Sequence, residues 1–446
     1  MKFSTQKPNK KLHLVSLGCT KNLVDSEIML GKLSEYELTD DGADADVIIV
    51  NTCGFIDSAK QESLNTIFNL HDQRKSDSVL VMSGCLSQRY QDELQKDLPE
   101  VDIFTGVGDY DKIDEMVKSK QSKFTNEVFL ASETNERVIT GSSYHAYVKL
   151  SEGCNQTCSF CAIPSFKGKL HSRTLESLVK EVKSLVAKGY KDITFISQDS
   201  SSFLRDQGIN DGLEKLVEEI ENVEGIKTAR ILYLYPSTTT LSLIDKIADS
   251  KVFVNYFDMP LQHISKNMLK VMKRGKQFEK LHELMSYMKS KPNSFVRTTF
   301  IAGHPGETVE DFEELCKYVE NFGFDRANVF SYSDEEGTTA FEMEDKIEQE
   351  TIDQRAETLG EVIAATTQKS LESEVGKTFE VYVDGESDEH EYLLSARKTV
   401  WAPDIDGEIY INDNELGEDS QIKFGEIYTV KVTELVGDKL LATVIK

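Results

Sequence analysis

The chain has 446 residues, 39% hydrophobic and 29% charged, the balance of a globular protein with room for roughly two to four domains. Its formal charge of −26 opposes nucleic-acid phosphates unless a basic face is segregated. No apolar run approaches the ~18–20 residues of a membrane span, and the opening MKFSTQKPNKK lacks a signal peptide's apolar core. Seven cysteines, an odd number without a secretion signal, favour a reducing compartment (the cytoplasm) and metal ligation over disulfides.

Residues 1–135 alternate strand and helix. LHLVSLG (12–18), DVIIVNT (46–52) and SVLVMSG (78–84) are short apolar runs, and helical stretches at 58–70 and 88–96 lie between or after them. That pattern predicts a parallel sheet covered on both faces. Each run leads into a cysteine: Cys19, Cys53 and Cys85, spaced 34 and 32 residues apart, about one strand–helix–strand unit. In a parallel sheet the C-terminal strand ends share one edge, where open α/β sheets bind ligands. Three thiols distant in sequence are therefore predicted to converge. The alternative is three buried cysteines at strand ends. Recurrence at one topological position favours a metal cluster with three protein ligands and one open iron. Gly18, Gly54 and Gly84 beside them are expected to let a bulky group approach the backbone.

Residues 140–370 begin with the strand-like run 146–150 and then Ser151-Glu152-Gly153-Cys154-Asn155-Gln156-Thr157-Cys158-Ser159-Phe160-Cys161, three cysteines at C-x3-C-x2-C spacing. Thiolates this close suit zinc or an iron–sulfur cluster. Structural zinc wants four protein ligands, and the next histidine, His171, is ten residues on. Three thiolates on a four-iron cluster leave one iron open for chemistry; a purely electron-transferring cluster is the other iron–sulfur reading. Five further strands follow, at 192–197, 229–234, 255–259, 295–301 and 327–332, with helices at 175–188, 213–224 and 309–321 among them. Six parallel strand–helix units predict an incomplete barrel with its site at the C-terminal strand edge. Cys316, within a helical pattern, reads as a packing cysteine, and His263 and His304 as structural or hydrogen-bonding residues.

Residues 374–446 change texture to five short strands, at 378–383, 393–396, 408–411, 426–435 and 439–444, separated by Asp384-Gly385, Asp406-Gly407 and Gly437-Asp438. This predicts a small five-stranded barrel. Such barrels often bind oligonucleotides, but this one carries 17 acidic and 7 basic side chains, a net of −10, which disfavours phosphate contacts.

The C-x3-C-x2-C loop, with Phe160 as the aromatic residue before its third cysteine, resembles the radical S-adenosylmethionine (SAM) superfamily. Together with Cys19, Cys53 and Cys85 and the terminal barrel, the whole chain resembles the superfamily's methylthiotransferases. That resemblance implies an N-terminal methylthiotransferase domain with an auxiliary cluster, a partial (β/α)6 radical SAM core and a TRAM-like barrel. It implies two 4Fe-4S clusters, held by Cys154, Cys158 and Cys161 and by Cys19, Cys53 and Cys85, with SAM as the other cofactor. The open iron of the first cluster chelates SAM, and Phe160 and Gly303 are the implied SAM contacts, Gly303 at the strand end that packs on adenine. Segments 161–166, 260–264 and 402–407 look like the branch that methylthiolates the β-carbon of an aspartate on small-subunit ribosomal protein twelve. The alternatives are a tRNA adenosine methylthiotransferase and a radical SAM enzyme without sulfur insertion. Expected partners are the ribosomal protein, a flavodoxin- or ferredoxin-like electron donor and a sulfur donor, with no membrane and tRNA disfavoured. Val400-Trp401, just before the last of these segments, has no evident reason in the sequence.

Overall fold

The computed structural model describes residues 10–125, 127–275, 278–416 and 421–445, so the opening segment MKFSTQKPNKK lies largely outside them. The first unit is a five-stranded parallel sheet of β1 (Lys11–Ser16), β2 (Glu37–Leu38), β3 (Val47–Thr52), β4 (Val79–Gly84) and β5 (Ile103–Phe104), in the order β2-β1-β3-β4-β5. β3 and β4 are buried along their whole length because helices cover both faces, so their sequences are continuously apolar rather than alternating. Strands β2 and β5 escape the sequence pattern because each is only two residues long. Three helices follow the cysteine-bearing ends: α1 (Thr20–Lys32), α2 (Asp57–Gln73) and α3 (Cys85–Arg89). The expected helix at 88–96 is broken at Tyr90 (φ −124°, ψ 42°), and a second helix begins at Gln91.

The second unit is a six-stranded parallel sheet of β6 (His145–Lys149), β9 (Asp192–Ile196), β10 (Thr228–Ile231), β11 (Phe253–Asp258), β12 (Phe295–Ala302) and β13 (Arg326–Ser331), hydrogen-bonded in sequence order. Two short strands, β7 (Ser151–Glu152) and β8 (His171–Ser172), pair antiparallel and hold together the two ends of the Cys154–Cys161 segment. Side chains alternate between the faces of this sheet. Ala146, Val148, Ile193 and Phe195 point outward into a core shared with the surrounding helices. Tyr147, Ile196, Leu232, Tyr256 and Phe295 point inward, to a different core.

That inner core is completed by the third unit, a closed barrel of β14 (Thr378–Glu386), β15 (Leu394–Lys398), β16 (Ile409–Asn414), β17 (Ile427–Val436) and β18 (Lys439–Val444). The barrel plugs the end of the six-stranded sheet from which the strands start. Trp401, 3% exposed, packs its ring 6.4 Å from that of Phe295, and the Arg326 guanidinium lies over it. Asp192 accepts from Arg397 at 2.5 Å and from Arg230 at 3.1 Å, Arg230 donates on to the Thr399 carbonyl, and the Tyr147 hydroxyl donates to the Pro403 carbonyl. Val400-Trp401 and the 402–407 segment thus have a structural purpose: they fill the floor of the partial barrel. Among the described residues no helix is long and apolar enough to cross a membrane.

Candidate active site

The opposite end of the partial barrel is capped by the N-terminal sheet, and between them lies one cavity of about 510 Å³. All six expected ligands line it: Cys19, Cys53 and Cys85 from the N-terminal unit, Cys154, Cys158 and Cys161 from the barrel. Its volume is typical of a buried ligand site. The seventh cysteine, Cys316, sits half-buried on the outer helical layer, packed on the helix-side core.

Cys19 is the N-cap residue of α1, Cys53 directly follows β3, and Cys85 opens α3. The glycines beside them also serve the packing of the loops. A Cβ on Gly18 would lie 2.8 Å from the Cβ of Cys53, and one on Gly54 would lie 2.7 Å from the Leu86 backbone. They let the three cysteine loops approach one another, and Gly18 also lines the cavity. The thiols of each trio also act on each other: Cys19 and Cys53 both raise the pKa of Cys85, and Cys158 and Cys154 both raise that of Cys161. Burial is the larger cause in both cases and pushes Cys85 and Cys161 up to about 12. Cys154 is likewise pushed up to about 12 by burial. Cys19 differs. Its residue is exposed, and although desolvation by the surrounding cavity wall raises it, the Lys21 ammonium, the N–H groups of Asn22 and Lys21, and Lys167 outweigh that and hold it below the ordinary thiol value. A thiol at a helix N-terminus beside cations is a ready thiolate.

In the barrel trio, Arg274 donates to Cys158 Sγ at 3.2 Å while its guanidinium stacks 4.3 Å from the Tyr235 ring centroid; the Tyr235 hydroxyl is 3.6 Å from the same sulfur. Phe160 lines the cavity and lies edge-on to His304, whose ring bonds Ser159 at 2.9 Å. His304 and His263 are fully buried, and burial holds them neutral, with pKa values lowered to about 4 and about 3. Gly303 sits at the end of β12 with φ +85°; its Cα faces Ile352 and it is not among the cavity-lining residues.

The two trios are joined by four buried charged side chains that sequence reasoning missed. Lys149 Nζ lies 2.7 Å from Asp25 Oδ1 and also pairs with Glu152; Lys167 Nζ lies 3.6 Å from Asp25 and 3.5 Å from Glu152. Each is at most 4% exposed. Asp25 belongs to α1, Lys149 to β6, Glu152 to β7 and Lys167 to the helix α4 (Ile163–Lys167) after Cys161. Burial lowers the Lys149 pKa to about 8, and Asp25 counters it. A lysine inside the apolar run AYVKL was the available signal, since a buried charge must be paired.

Soft sulfur donors in threes suit an iron–sulfur group. Among the described residues no three His, Cys, Asp or Glu side chains converge tightly enough to hold a single metal ion. The six thiols line one cavity, a donor set with the chemistry of an iron–sulfur group.

Comparison with known proteins agrees with this architecture. Residues 11–106 match an uncharacterized protein family, UPF0004; residues 148–319 match the radical SAM superfamily; residues 375–445 match the TRAM domain. The chain is 82% identical over 446 residues to the ribosomal protein uS12 methylthiotransferase RimO of Aliarcobacter butzleri, covering all of both chains. It is 65% identical over 437 residues to the same-named protein of Sulfurovum sp., covering 98% of this chain and 99% of that one. The structure of the radical SAM methyltransferase TsrM from Kitasatospora setae has a TM-score of 0.52 at 14% identity, covering 73% of this chain and 74% of that one, a likeness of fold. The chain belongs to the ribosomal protein uS12 methylthiotransferase family, RimO, within the radical SAM superfamily.

Proposed function

We propose that this chain replaces a C–H on the β-carbon of an aspartate of ribosomal protein uS12 by C–SCH3. It would use SAM and two iron–sulfur clusters, one held by Cys154, Cys158 and Cys161, the other by Cys19, Cys53 and Cys85. The observation that carries the reading is that two separately built thiol trios open on one cavity. When bound, the first cluster supplies the electron that splits SAM and the second supplies the site from which sulfur is delivered.

The chain's own work is placement and shelter. Radical chemistry on an unactivated carbon needs the reacting atoms held close together and water excluded. The buried Asp25–Lys149–Glu152–Lys167 set fixes the spacing of the trios, Arg274 and Tyr235 orient Cys158, and the Trp401 plug closes the floor. Phe160, lining the cavity beside Cys161, is a candidate SAM contact. Gly303, set against Ile352, would act on the nucleoside only through the shape of the strand end.

A flavodoxin- or ferredoxin-class reductant and a sulfur donor complete the partners, in the cytoplasm, where thiols stay reduced. The net charge of −26, with −10 on the last 73 residues, suits encounter with a basic ribosomal protein and opposes tRNA. The test offers the reconstituted enzyme, with SAM, reductant and sulfide, either uS12 or unmodified tRNA. A gain of one sulfur and one CH2 on the protein is expected. Methylthio-adenosine in the tRNA with an unchanged protein mass would refute the assignment.

A further inference from the structure

Four cations line the cavity, and they are not equivalent. Lys167 is held by Asp25 and Glu152, and Arg297 bonds Asp258 at 3.1 Å. Arg274 is committed to Cys158 Sγ and the Pro260 carbonyl. Lys21 forms no ion pair with a carboxylate within 4 Å among the described residues; Asp258, already paired with Arg297, acts on it only from farther away. Its ammonium instead lies 3.5 Å from the centroid of the Tyr233 ring.

The placement of that contact is specific. Lys21 is two residues past Cys19, in the first turn of α1. Tyr233 lies two residues past the end of β10, a central strand of the barrel. Its backbone is in the left-handed region, φ +64°, a conformation costly for a bulky residue. The strained turn is pinned by Asp258, which accepts from the Tyr233 N–H at 3.0 Å, and by the Ser200 N–H, which donates to the Tyr233 carbonyl. It turns the ring under the lysine, so the ammonium stands in the wall of the cavity that both thiol trios line, on an aromatic platform.

We propose that Lys21 is the carboxylate anchor of the substrate, a specificity-determining residue that binds the side chain of the target aspartate. The inference rests on the function proposed above. The target β-carbon is bonded directly to that carboxylate, so fixing the carboxylate holds the β-carbon inside the cavity that both trios line. A carboxylate entering a chain of charge −26, beside six thiol ligands, also needs a cation to offset repulsion. An ammonium with donors to spare supplies a charge-assisted hydrogen bond there. SAM's methionine carboxylate has the same chemistry, but the resemblance assigns it to the open iron of the Cys154 set, on the barrel side.

The experiment is a cycle on reconstituted enzyme, without reductant, with uS12 carrying either the target aspartate or asparagine there. Wild type is expected to bind the aspartate form about tenfold or more tightly than the asparagine form, the range of a charged hydrogen bond. In Lys21→Met that ratio should fall to near one; Lys21→Arg should keep most of it. Lys21→Gln repeats the reading if the methionine variant does not fold, with iron content as the check. Full Asp/Asn discrimination in the neutral variants would overturn the proposal. So would lost SAM affinity with discrimination intact, which would make Lys21 the anchor of SAM. If the wild-type enzyme, given reductant, leaves uS12 unmodified, the function itself is refuted and the anchor with it.

Discussion

Asp25 and Lys149 meet at 2.7 Å with neither side chain in contact with solvent, and the pair ties the helix after Cys19 to the strand before Cys154. It is one of the links between the two thiol trios, beside the packing of Cys85 against Ala162 and Phe166. Ion pairs of this kind add little over an apolar replacement, but losing one partner leaves a buried charge uncompensated.

Lys149→Met is therefore expected to lower stability by about 3–5 kcal/mol, because Asp25 and Glu152 then share only Lys167. Chemical unfolding followed by circular dichroism measures the loss. An effect below ~1 kcal/mol, the range of a surface pair, would show that the contact is not the joint between the units.

The floor of the barrel is expected to be acid-labile. Burial lowers the His145 pKa to about 3. Asp192 is also held low: burial opposes this, but Arg230 and Arg397 outweigh it. Both folded values lie below the unfolded ones, about 6.5 for His and 3.9 for Asp, so both contributions are complete above those values and drain as pH falls. His145 alone should cost up to about 1.4 kcal/mol per pH unit from about pH 6.5 downward. His145→Gln, which can keep the bond to Thr194, should flatten that slope by one proton. An unchanged slope between pH 6.5 and 4 would contradict this.

Trp401→Ala should cost about 3–5 kcal/mol, as for other large buried aromatics, because it empties the space against Phe295 and under Arg326. Calorimetry should show a lowered unfolding temperature, with iron binding by the Cys154 set retained. Loss of that iron instead would mean the plug shapes the cluster site directly.

The layers were legible in the sequence because each carries its own period. Continuously apolar runs mark the parallel strands, and turn pairs such as Asp384-Gly385 mark the small barrel. The cysteines were legible because equivalent strand ends share an edge. What stayed hidden depends on contacts between units. Trp401 makes sense only against Phe295, and Asp25 and Lys149 are 124 residues apart. Lys21 stands two residues past Cys19, yet its charge carries no meaning until Tyr233, far along the chain, is brought beneath it. That Gly18 and Gly54 also make room for Cys53 and Leu86 of neighbouring loops is invisible until the loops converge.

The division of labour between the trios is tested most directly by Cys19→Ala, Cys53→Ala and Cys85→Ala combined in one reconstituted enzyme. With SAM, reductant, sulfide and uS12 supplied, about half the iron should remain, since each trio is built within its own unit. Release of 5′-deoxyadenosine should continue while the methylthio product disappears. Loss of 5′-deoxyadenosine release with the Cys154, Cys158 and Cys161 cluster intact would contradict the assignment of separate roles to the two trios.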